Sequence, residues 1–298
     1  ENIKNFKNLG WPTSMIKIYS ERSRSSELFE FKNKNQNNFY LLKYIEFYNL
    51  LKKNKFLKFV KYKNYSFETI KKRNYNLIIN SEHNNLITKK FFFKKIERNY
   101  NSLAHTAIIG HKKINNKIAI QIFTNSGPLA FLPLSDSQTS IVFSSNSNKL
   151  INKKEFLEII NKYNHKYFVK KISNIESFSI KFSHLRNYVY KNILSFGDLI
   201  HKVHPLAGQG FNMTIRDIKS LSLILDENIK LGIDDGETIA QKFQEHNKHV
   251  NFMYGVGIDS INSFFKLDNK LKNNLSQPIF KILKGNKFLN NYATFFSN

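Results

Sequence analysis

The sequence predicts an α/β protein, and three features of its 298 residues support that prediction. The first half contains short apolar runs with the rhythm of strands, such as Ser14–Glu21 and Glu27–Phe31. A second group of such runs extends from His105 to Ser144, where Gly-Pro and SDSQ breaks indicate a meandering antiparallel sheet. The last third has the apolar spacing of helices. Strands followed by helices in a chain of this length predict a mixed domain with a sizeable core.

Three further segments specify individual elements. Ile45–Asn54 has the apolar stripe of a short helix, and Tyr75–Glu82 is typical of a buried strand that enters a polar loop. Asn152–Tyr163 predicts a capped helix. Its first residue can accept hydrogen bonds from the free backbone N–H groups, and Glu155 stands three positions later, as in a capping box.

Composition narrows the function classes. The chain has no cysteine, which excludes disulfides, thiolate metal sites and cysteine nucleophiles. No apolar run reaches the roughly 18 residues of a membrane-spanning helix. The net charge is +25, but only six of the 47 basic residues are Arg. Because Arg is the preferred side chain for base and phosphate recognition, this bias favours a solvated basic surface over a nucleic-acid site. Such a surface would also suit an anionic membrane.

A strand–loop–helix unit lies between Asn192 and Leu225. Asn192–Phe196 predicts a buried strand, and Asp198 follows at its carboxyl end, where an acceptor for a ribose hydroxyl belongs in an α/β sheet. Pro205 stiffens the loop. A helix then begins near Gly208, since Phe211, Ile215, Ile218 and Leu225 fall on one face.

The start of this helix suits a ligand. Its N–H groups attract electron-rich groups, and Gly208 and Gly210 let a ligand approach the backbone closely. A corner whose glycines only permit tight packing is the alternative.

Several polar residues in this unit have open roles. His201 and His204 could join Asp198 as metal ligands, bond within the loop, or face a cavity. We predict no metal, because no fourth ligand lies nearby. Gln209 and Asn212 are interpreted as amides that fix the backbone. Arg216 and Asp217 are interpreted as a structural pair on the helix, and Asp217 is also expected to help shape the site.

The string GDLIHKVHPLAGQGFNMTIRD, residues 197–217, resembles the signature of the ubiquinone-biosynthesis flavoprotein hydroxylases, which belong to the FAD-dependent aromatic-ring monooxygenases. Leu199, Ile200 and Thr214 depart from the family pattern, which has small residues there. Ser126–Ser144 is similar to the family's substrate-sheet segment. The positions that fit the signature are Gly197, Asp198, His201, His204, Pro205, Ala207, Gly208, Gln209, Gly210, Asn212 and Asp217.

The resemblance implies an FAD-binding Rossmann-like fold with an interleaved mixed β-sheet substrate domain. The family's first βαβ unit and its GxGxxG turn have no counterpart after Glu1, and we expect truncation rather than loss. Where the family has Ala-Asp-Gly, this chain has Glu82 in the acidic position and His83 in place of glycine. The implied domains are substrate-side strands in 1–37, FAD-binding segments in 38–100 and 179–240, the substrate sheet in 101–178 and C-terminal helices in 241–298.

The resemblance also implies an activity. FAD, reduced by NADH or NADPH, would react with O2 to a flavin hydroperoxide that hydroxylates the aromatic ring of a prenylated phenol. The protein would be cytoplasmic and held peripherally on the inner membrane of a bacterium, with other ubiquinone-biosynthesis proteins as further partners and no nucleic acid.

The family's pattern assigns a set of cofactor-binding residues and no catalytic side chain. The implied cofactor-binding residues are Gly197, Asp198, His204, Pro205, Ala207, Gly208, Gln209, Gly210 and Asn212.

Two other function classes stay open: a non-catalytic scaffold that has lost its nucleotide pocket, and a basic RNA-binding protein. The ring position that is hydroxylated, the choice between NADH and NADPH, and the oligomeric state are not specified by the sequence.

Overall fold

The computed structural model describes residues 10–21, 27–32, 39–53, 58–61, 63, 66–72 and 74–271. The strands are β1 (Trp11–Thr13), β2 (Met15–Ser20), β3 (Phe29–Lys32), β4 (Phe39–Leu41), β5 (Ile78–Asn80), β6 (Lys95–His111), β7 (Ile118–Thr124), β8 (Gly127–Pro133), β9 (Gln138–Ser144), β10 (Val169–Ile172), β11 (Glu176–Leu185), β12 (Val189–Tyr190), β13 (Ile193–Ser195) and β14 (His201–Lys202). The helices are α1 (Tyr44–Lys52), α2 (Phe67–Lys72), α3 (Leu86–Phe91), α4 (Lys153–Tyr163), α5 (Gln209–Lys230) and α6 (Gly236–Leu271). The α/β class predicted from the sequence is confirmed.

The chain forms two compact units. Of the described residues, the first contains those from 10 to 61, residues 101–179 and residues 265–271, and the second contains those from 63 to 100 and residues 180–264. Each unit therefore draws on chain segments that are far apart in sequence.

The first unit contains a mixed sheet in the order β6-β9-β8-β7-β2-β3, and β10 also pairs with β6. Strands β6, β9, β8 and β7 are antiparallel neighbours, whereas β2 runs parallel to β7. The antiparallel sheet predicted for residues 105–144 is confirmed, but its order is not a simple meander, because β6 pairs with β9 and not with β7. A tight connection joins β7 to β8, and Gly127 follows it with a φ of +127°.

The core of the first unit lies between this sheet and α4. Phe156 and Ile160 on the helix are fully buried against Phe131 and Phe143 of the sheet. The predicted capping box of α4 is present, because the Asn152 side chain accepts from the Glu155 backbone N–H and the Glu155 carboxylate accepts from the Asn152 backbone N–H. These bonds fix the helix start and, with it, the register of the buried face.

In the second unit, β13 runs parallel to β5, and β12 completes a three-stranded sheet on the other side of β13. All three residues of β13 are buried, as predicted for the run Asn192–Phe196. Leu194 of this strand lies in one core with Leu221 of α5 and Phe243 of α6. The sheet and the two helices therefore fix the position of the loop that follows β13.

Helix α5 begins at Gln209 with Gly208 as its N-cap, as the sequence predicts. Its apolar face is less simple than the sequence indicated. Phe211, Ile215 and Ile218 are 42–47% exposed, while Met213 and Asp217 are buried. The predicted helix is confirmed, but its buried side includes the carboxylate of Asp217. No helix within the described residues is long and apolar enough to span a membrane.

Candidate functional site

The candidate site lies in the second unit, at the carboxyl edge of its parallel strands. Ser195 at the end of β13 pairs with Asn80 at the end of β5, and the Phe196 N–H donates to the Asn80 carbonyl at 2.9 Å. Because parallel strands end at the same edge of a sheet, Asp198 and the turn that contains His83 emerge side by side. This is the edge at which open α/β sheets bind ligands.

Side-chain amides hold the turn after β5. Asn85 caps α3 by accepting from the Thr88 N–H at 2.8 Å, and it donates to the Asn80 Oδ1 at 2.6 Å. Asn80 in turn donates to the Thr88 Oγ1 at 2.8 Å. The closed ring of bonds gives the His83 backbone a fixed position although it lies in a loop.

Charges at this edge act on His83. Burial is the main reason why the pKa of His83 lies below its ordinary value, and the positive charges of Lys202 and Lys95 lower it further. The negative charge of Asp198 opposes these effects, so the two side chains lie within electrostatic range. His83 therefore takes up a proton less readily than an ordinary histidine, although the exposed carboxylate of Asp198 acts in the opposite direction.

Two glycines with left-handed backbone shape the loop that follows. Gly197 has a φ of +64° and Gly208 a φ of +68°. A Cβ built on either residue would meet no atom within 4 Å. Positive φ explains why glycine suits both positions, and the open space around them leaves room for a ligand.

The first turn of α5 faces this space without a side-chain cap. Its N-cap, Gly208, makes no side-chain cap hydrogen bond, so the orphan N–H groups of the helix start keep their donor capacity. A Cβ built on Gly210 would meet only the Val203 Cγ2, at an ordinary 3.6 Å. The helix start thus presents polar N–H groups with little steric cover.

The remaining signature residues take several positions. His204 is buried and meets the Tyr100 ring edge to face, with ring centroids 5.7 Å apart. Pro205 precedes a single 3-10 turn that contains Ala207. The amides do not fix the backbone as interpreted from the sequence: Asn212 is exposed, and the Gln209 Oε1 is buried without a hydrogen-bond partner among the described residues.

A buried polar network ties the loop to both long helices. His201, 3% exposed, bonds through its Nε2 to the Asp217 Oδ2 at 2.7 Å, and Asn251 of α6 donates to the Asp217 Oδ1 at 2.9 Å. The interpretation of Arg216 and Asp217 as a pair is therefore wrong. Arg216 points away, and its guanidinium carbon lies 3.8 Å from the centroid of the Tyr254 ring. Side chains at neighbouring positions on a helix point in different directions and do not face each other.

A second histidine lies directly beside this network. His184 on β11 pairs across the ladder with His201 on β14, and its Nε2 lies 3.4 Å from the Tyr188 hydroxyl. Burial lowers the pKa of His184 to about 4, and the neighbouring charge of His201 adds to that shift. Sequence reasoning missed His184, Tyr188 and Asn251, because no local spacing connects them with the signature.

The described residues contain no group of three or more His, Asp or Glu side chains that could hold a metal ion. His201 is instead occupied by the Asp217 carboxylate. Of the three roles considered for it, the geometry supports hydrogen bonding within the fold.

The comparisons with known proteins agree with this geometry. Residues 120–235 match the model of the FAD binding domain family. The chain is similar to mitochondrial ubiquinone biosynthesis monooxygenase COQ6 of Schizosaccharomyces pombe, with 28% identity over 65% of this chain and 50% of that protein. It is also similar to the Xenopus tropicalis protein of the same name, with 28% identity over 52% of this chain and 42% of that protein.

The resemblance to the ubiquinone-biosynthesis flavoprotein hydroxylases predicted from the signature string is therefore confirmed.

Solved structures of flavin-dependent enzymes share the fold of this chain. The chain superposes on the FAD-dependent monooxygenase PqsL of Pseudomonas aeruginosa with a TM-score of 0.65, 14% identity and coverage of 90% of this chain and 82% of that one. For p-nitrophenol 4-monooxygenase PnpA of Pseudomonas putida the TM-score is 0.71 at 8% identity, over 99% of this chain and 84% of that one. The FAD-binding aromatic hydroxylase fold predicted from the resemblance is confirmed. The chain spans about half the length of the curated relatives it matches.

The residues present fit FAD, the cofactor named in the matching family model. A helix start without a side-chain cap supplies N–H donors, and Gly208 and Gly210 leave the space in front of it open. The buried Gln209 Oε1 without a partner offers an acceptor for a ligand N–H. Asp198 adds an exposed acceptor at the strand end. These donors and acceptors lie close to the backbone, as a flat heterocycle with hydrogen-bonding edges requires.

Proposed function

We propose that this chain is part of an FAD-dependent monooxygenase that hydroxylates the aromatic ring of a prenylated phenol in ubiquinone biosynthesis. The observation that carries the proposal is the uncapped start of α5 at left-handed Gly208, beside Asp198 at the end of β13. The names of the curated relatives support the pathway. Neither the non-catalytic scaffold nor the RNA-binding protein is favoured by these relatives.

The proposed cofactor contacts follow from the geometry of the second unit. Asp198 accepts from a hydroxyl of the sugar-alcohol or ribose part, and the N–H groups from Gly208 to Gly210 donate to the pyrimidine edge of the ring. Donors fixed before the reaction stabilise negative charge at that edge, as in an oxyanion hole. The full proposed set is Gly197, Asp198, His204, Pro205, Ala207, Gly208, Gln209, Gly210 and Asn212.

When bound, FAD supplies the redox chemistry, with NADH or NADPH as the proposed electron donor and O2 as the oxidant. The chain's own part is to bind, orient and shield. Asp217, held by His201 and Asn251, keeps the loop and the helix start in one arrangement. We assign no catalytic side chain, because the hydroxyl of a phenol already activates its own ring.

Two broader assignments belong to the same proposal. We propose that the second unit carries the flavin and that the sheet of the first unit belongs to the substrate domain. We also propose that the protein associates peripherally with the inner membrane, where a prenylated substrate would partition. The bacterial origin expected from the sequence stays a prediction, because the relatives named above are mitochondrial proteins.

Flavin binding and turnover test the proposal. The protein produced from its full reading frame should be yellow after purification, or become so when FAD is added. It should then oxidise NADH or NADPH faster when a prenylated phenol and O2 are present, with a hydroxylated product detected by mass spectrometry.

Two results would count against it. A protein that is folded by circular dichroism yet stays colourless with excess FAD supports the scaffold function instead. A flavin-containing protein that consumes NAD(P)H without hydroxylating any prenylated phenol would retain the family fold and refute the proposed substrate class.

A further inference from the structure

An exposed group of aromatic and basic side chains lies in the second unit, outside the candidate site. We call Lys90, Phe91, Phe93, Lys94 and Tyr190 the aromatic–lysine surface. Phe93 is 61% exposed and Tyr190 40% exposed. Both values are high for aromatic side chains, which are usually buried for most of their area.

The charge of this surface has one sign. Residues 88–95 read TKKFFFKK and residues 185–191 read LRNYVYK, and neither segment contains Asp or Glu. The two segments are in contact, because the Arg186 N–H donates to the Lys94 carbonyl at 2.9 Å. The Lys90 Nζ lies 5.5 Å from the Phe91 ring centroid, and the Lys94 Nζ lies 5.9 Å from that of Phe93. One ammonium group therefore lies close to each of these two rings.

The rings are anchored to the core from behind. Phe92, between Phe91 and Phe93, is 1% exposed and belongs to the core of the second unit. Phe91 stacks on Tyr190 with ring centroids 3.8 Å apart. A depression of about 220 Å³ lies between the two segments, with Phe91, Phe93 and Tyr190 among its walls. The surface is thus a fixed shape with an apolar floor and a basic rim.

This arrangement suits lipid better than nucleic acid. A nucleobase needs an open ring face on which to stack, but one face of Phe91 is covered by Tyr190. The cations are mainly Lys, which neutralise headgroup charge without the planar fork that reads bases and phosphates. A protruding phenyl ring among lysines matches the boundary between headgroups and acyl chains.

The surface also continues toward the candidate site. Lys95, at the end of the same run, is one of the two lysines whose charge acts on His83. His83 in turn feels the charge of Asp198. The basic run on one side of the surface therefore ends within electrostatic range of the candidate site.

We propose that the aromatic–lysine surface docks the protein on an anionic phospholipid bilayer, with Phe93 entering the boundary between headgroups and acyl chains. The inference deepens the peripheral membrane association proposed above and rests on it for the choice of a bilayer as partner. It does not depend on which phenol, if any, the enzyme hydroxylates.

Vesicle co-sedimentation tests this docking. The protein should bind vesicles of phosphatidylcholine with roughly one third phosphatidylglycerol and should not bind phosphatidylcholine alone, and binding should weaken as salt rises. The double variant Lys90→Glu, Lys94→Glu should lower the partition coefficient at least about tenfold. Phe93→Ser should lower it severalfold at every salt concentration, because the lost contribution is apolar.

The first unit offers a matched control. The Lys112 Nζ lies 4.5 Å from the centroid of the Phe168 ring, and Phe168 is 63% exposed. Lys112→Glu and Phe168→Ser therefore change the same chemistry at another surface, and each should stay within about twofold of wild type.

A fluorescence variant locates the contact. Phe93→Trp, measured as the difference from wild type with its one tryptophan at Trp11, should shift to the blue with anionic vesicles. The same substitution at Phe168 should not shift. Circular dichroism and FAD affinity are measured on every variant, so that loss of folding or of cofactor binding is seen separately from loss of docking.

Three results would overturn the inference. If the double variant Lys90→Glu, Lys94→Glu and the variant Phe93→Ser both bind vesicles as wild type does, this surface is excluded. Equal losses in the Lys112 or Phe168 controls would show attraction by general charge. Binding of a single-stranded oligonucleotide that falls in the Phe93 variant while vesicle binding persists would assign the surface to nucleic acid.

Discussion

The hairpin of the first unit and the helix start of the second unit both depend on a glycine with positive φ, but for different reasons. At Gly127 a Cβ would lie 1.9 Å from the Ser144 carbonyl oxygen, so the neighbouring strand itself forbids a side chain. At Gly208 a Cβ would meet nothing within 4 Å. One glycine is required by protein packing, and the other leaves space that the protein does not fill. The difference separates a folding constraint from a candidate binding feature.

Histidines repeat this contrast. In the first unit, His105 is buried and its Nδ1 lies 2.8 Å from the Ser177 hydroxyl, within a largely apolar core. In the second unit, His201 and His184 lie next to each other, and a buried carboxylate holds His201. The buried histidines of the first unit bond hydroxyl groups, as His111 does with Thr139, whereas His201 in the second unit bonds a buried carboxylate. Variants in both units test these differences through stability, pH dependence and FAD affinity.

Gly127→Ala should have the largest effect on stability. The Cβ must displace the backbone of β9 and the residue must hold a φ of +127°, so we expect the free energy of unfolding to fall by about 4 kcal/mol or more. Urea denaturation measures the loss. Gly232→Ala is the control, since Gly232 also has a positive φ but open space around it, and it should cost about 1–2 kcal/mol. Equal losses would remove the distinction.

His184 should make the second unit sensitive to acid. Its folded pKa of about 4 lies below the ordinary 6.5, so between these values the unfolded chain binds a proton that the folded chain excludes. Stability from this group is present above pH 6.5 and is lost as the pH falls toward 4, by about 2 kcal/mol between pH 7 and pH 5. His184→Gln should flatten the pH dependence of unfolding by that amount. The control His165→Gln replaces an exposed histidine and should keep the wild-type pH dependence of unfolding. If His184→Gln also keeps it, His184 is not the source of the acid sensitivity.

Gly210→Ala should separate binding from folding. Its Cβ meets only Val203 at an ordinary distance, so stability should stay unchanged or rise by up to about 1 kcal/mol. The added methyl group enters the space before the helix start. It should weaken FAD binding at least about tenfold, which corresponds to about 1.4 kcal/mol. Flavin fluorescence titration gives the affinity, with Gly232→Ala as a variant that should bind FAD normally. Normal FAD affinity in Gly210→Ala would mean that the flavin does not approach this backbone.

Asn152→Ala should have the smallest effect and confine it to the first unit. Loss of the capping box at α4 should lower the free energy of unfolding by about 1 kcal/mol. FAD affinity should not change, because the helix packs on the sheet of the first unit. Urea denaturation and the same flavin titration test both parts, and a change in FAD affinity would show that the two units are energetically coupled.

The fold was largely predictable where structure is local. The strand runs of residues 105–144, the capped helix at Asn152 and the strand before Gly197 have short-range causes in the sequence: alternation, capping side chains and turn residues. The helix start at Gly208 was predictable for the same reason. The buried face of α5 was not, because the partners of Asp217 come from β14 and from α6, 16 and 34 residues away.

The sequence is sufficient for the element types, the signature string with its glycines and acid, and through that string the resemblance to a family. The packing of distant segments determines which glycine faces a neighbouring strand and which faces open space. It also determines that Asp217 bonds His201 and not Arg216. For the same reason Phe93 is exposed while Phe92 is buried. Elements form from neighbours along the chain, so their causes can be read locally. Contacts between distant segments depend on how those elements pack, and local spacing contains no record of that packing.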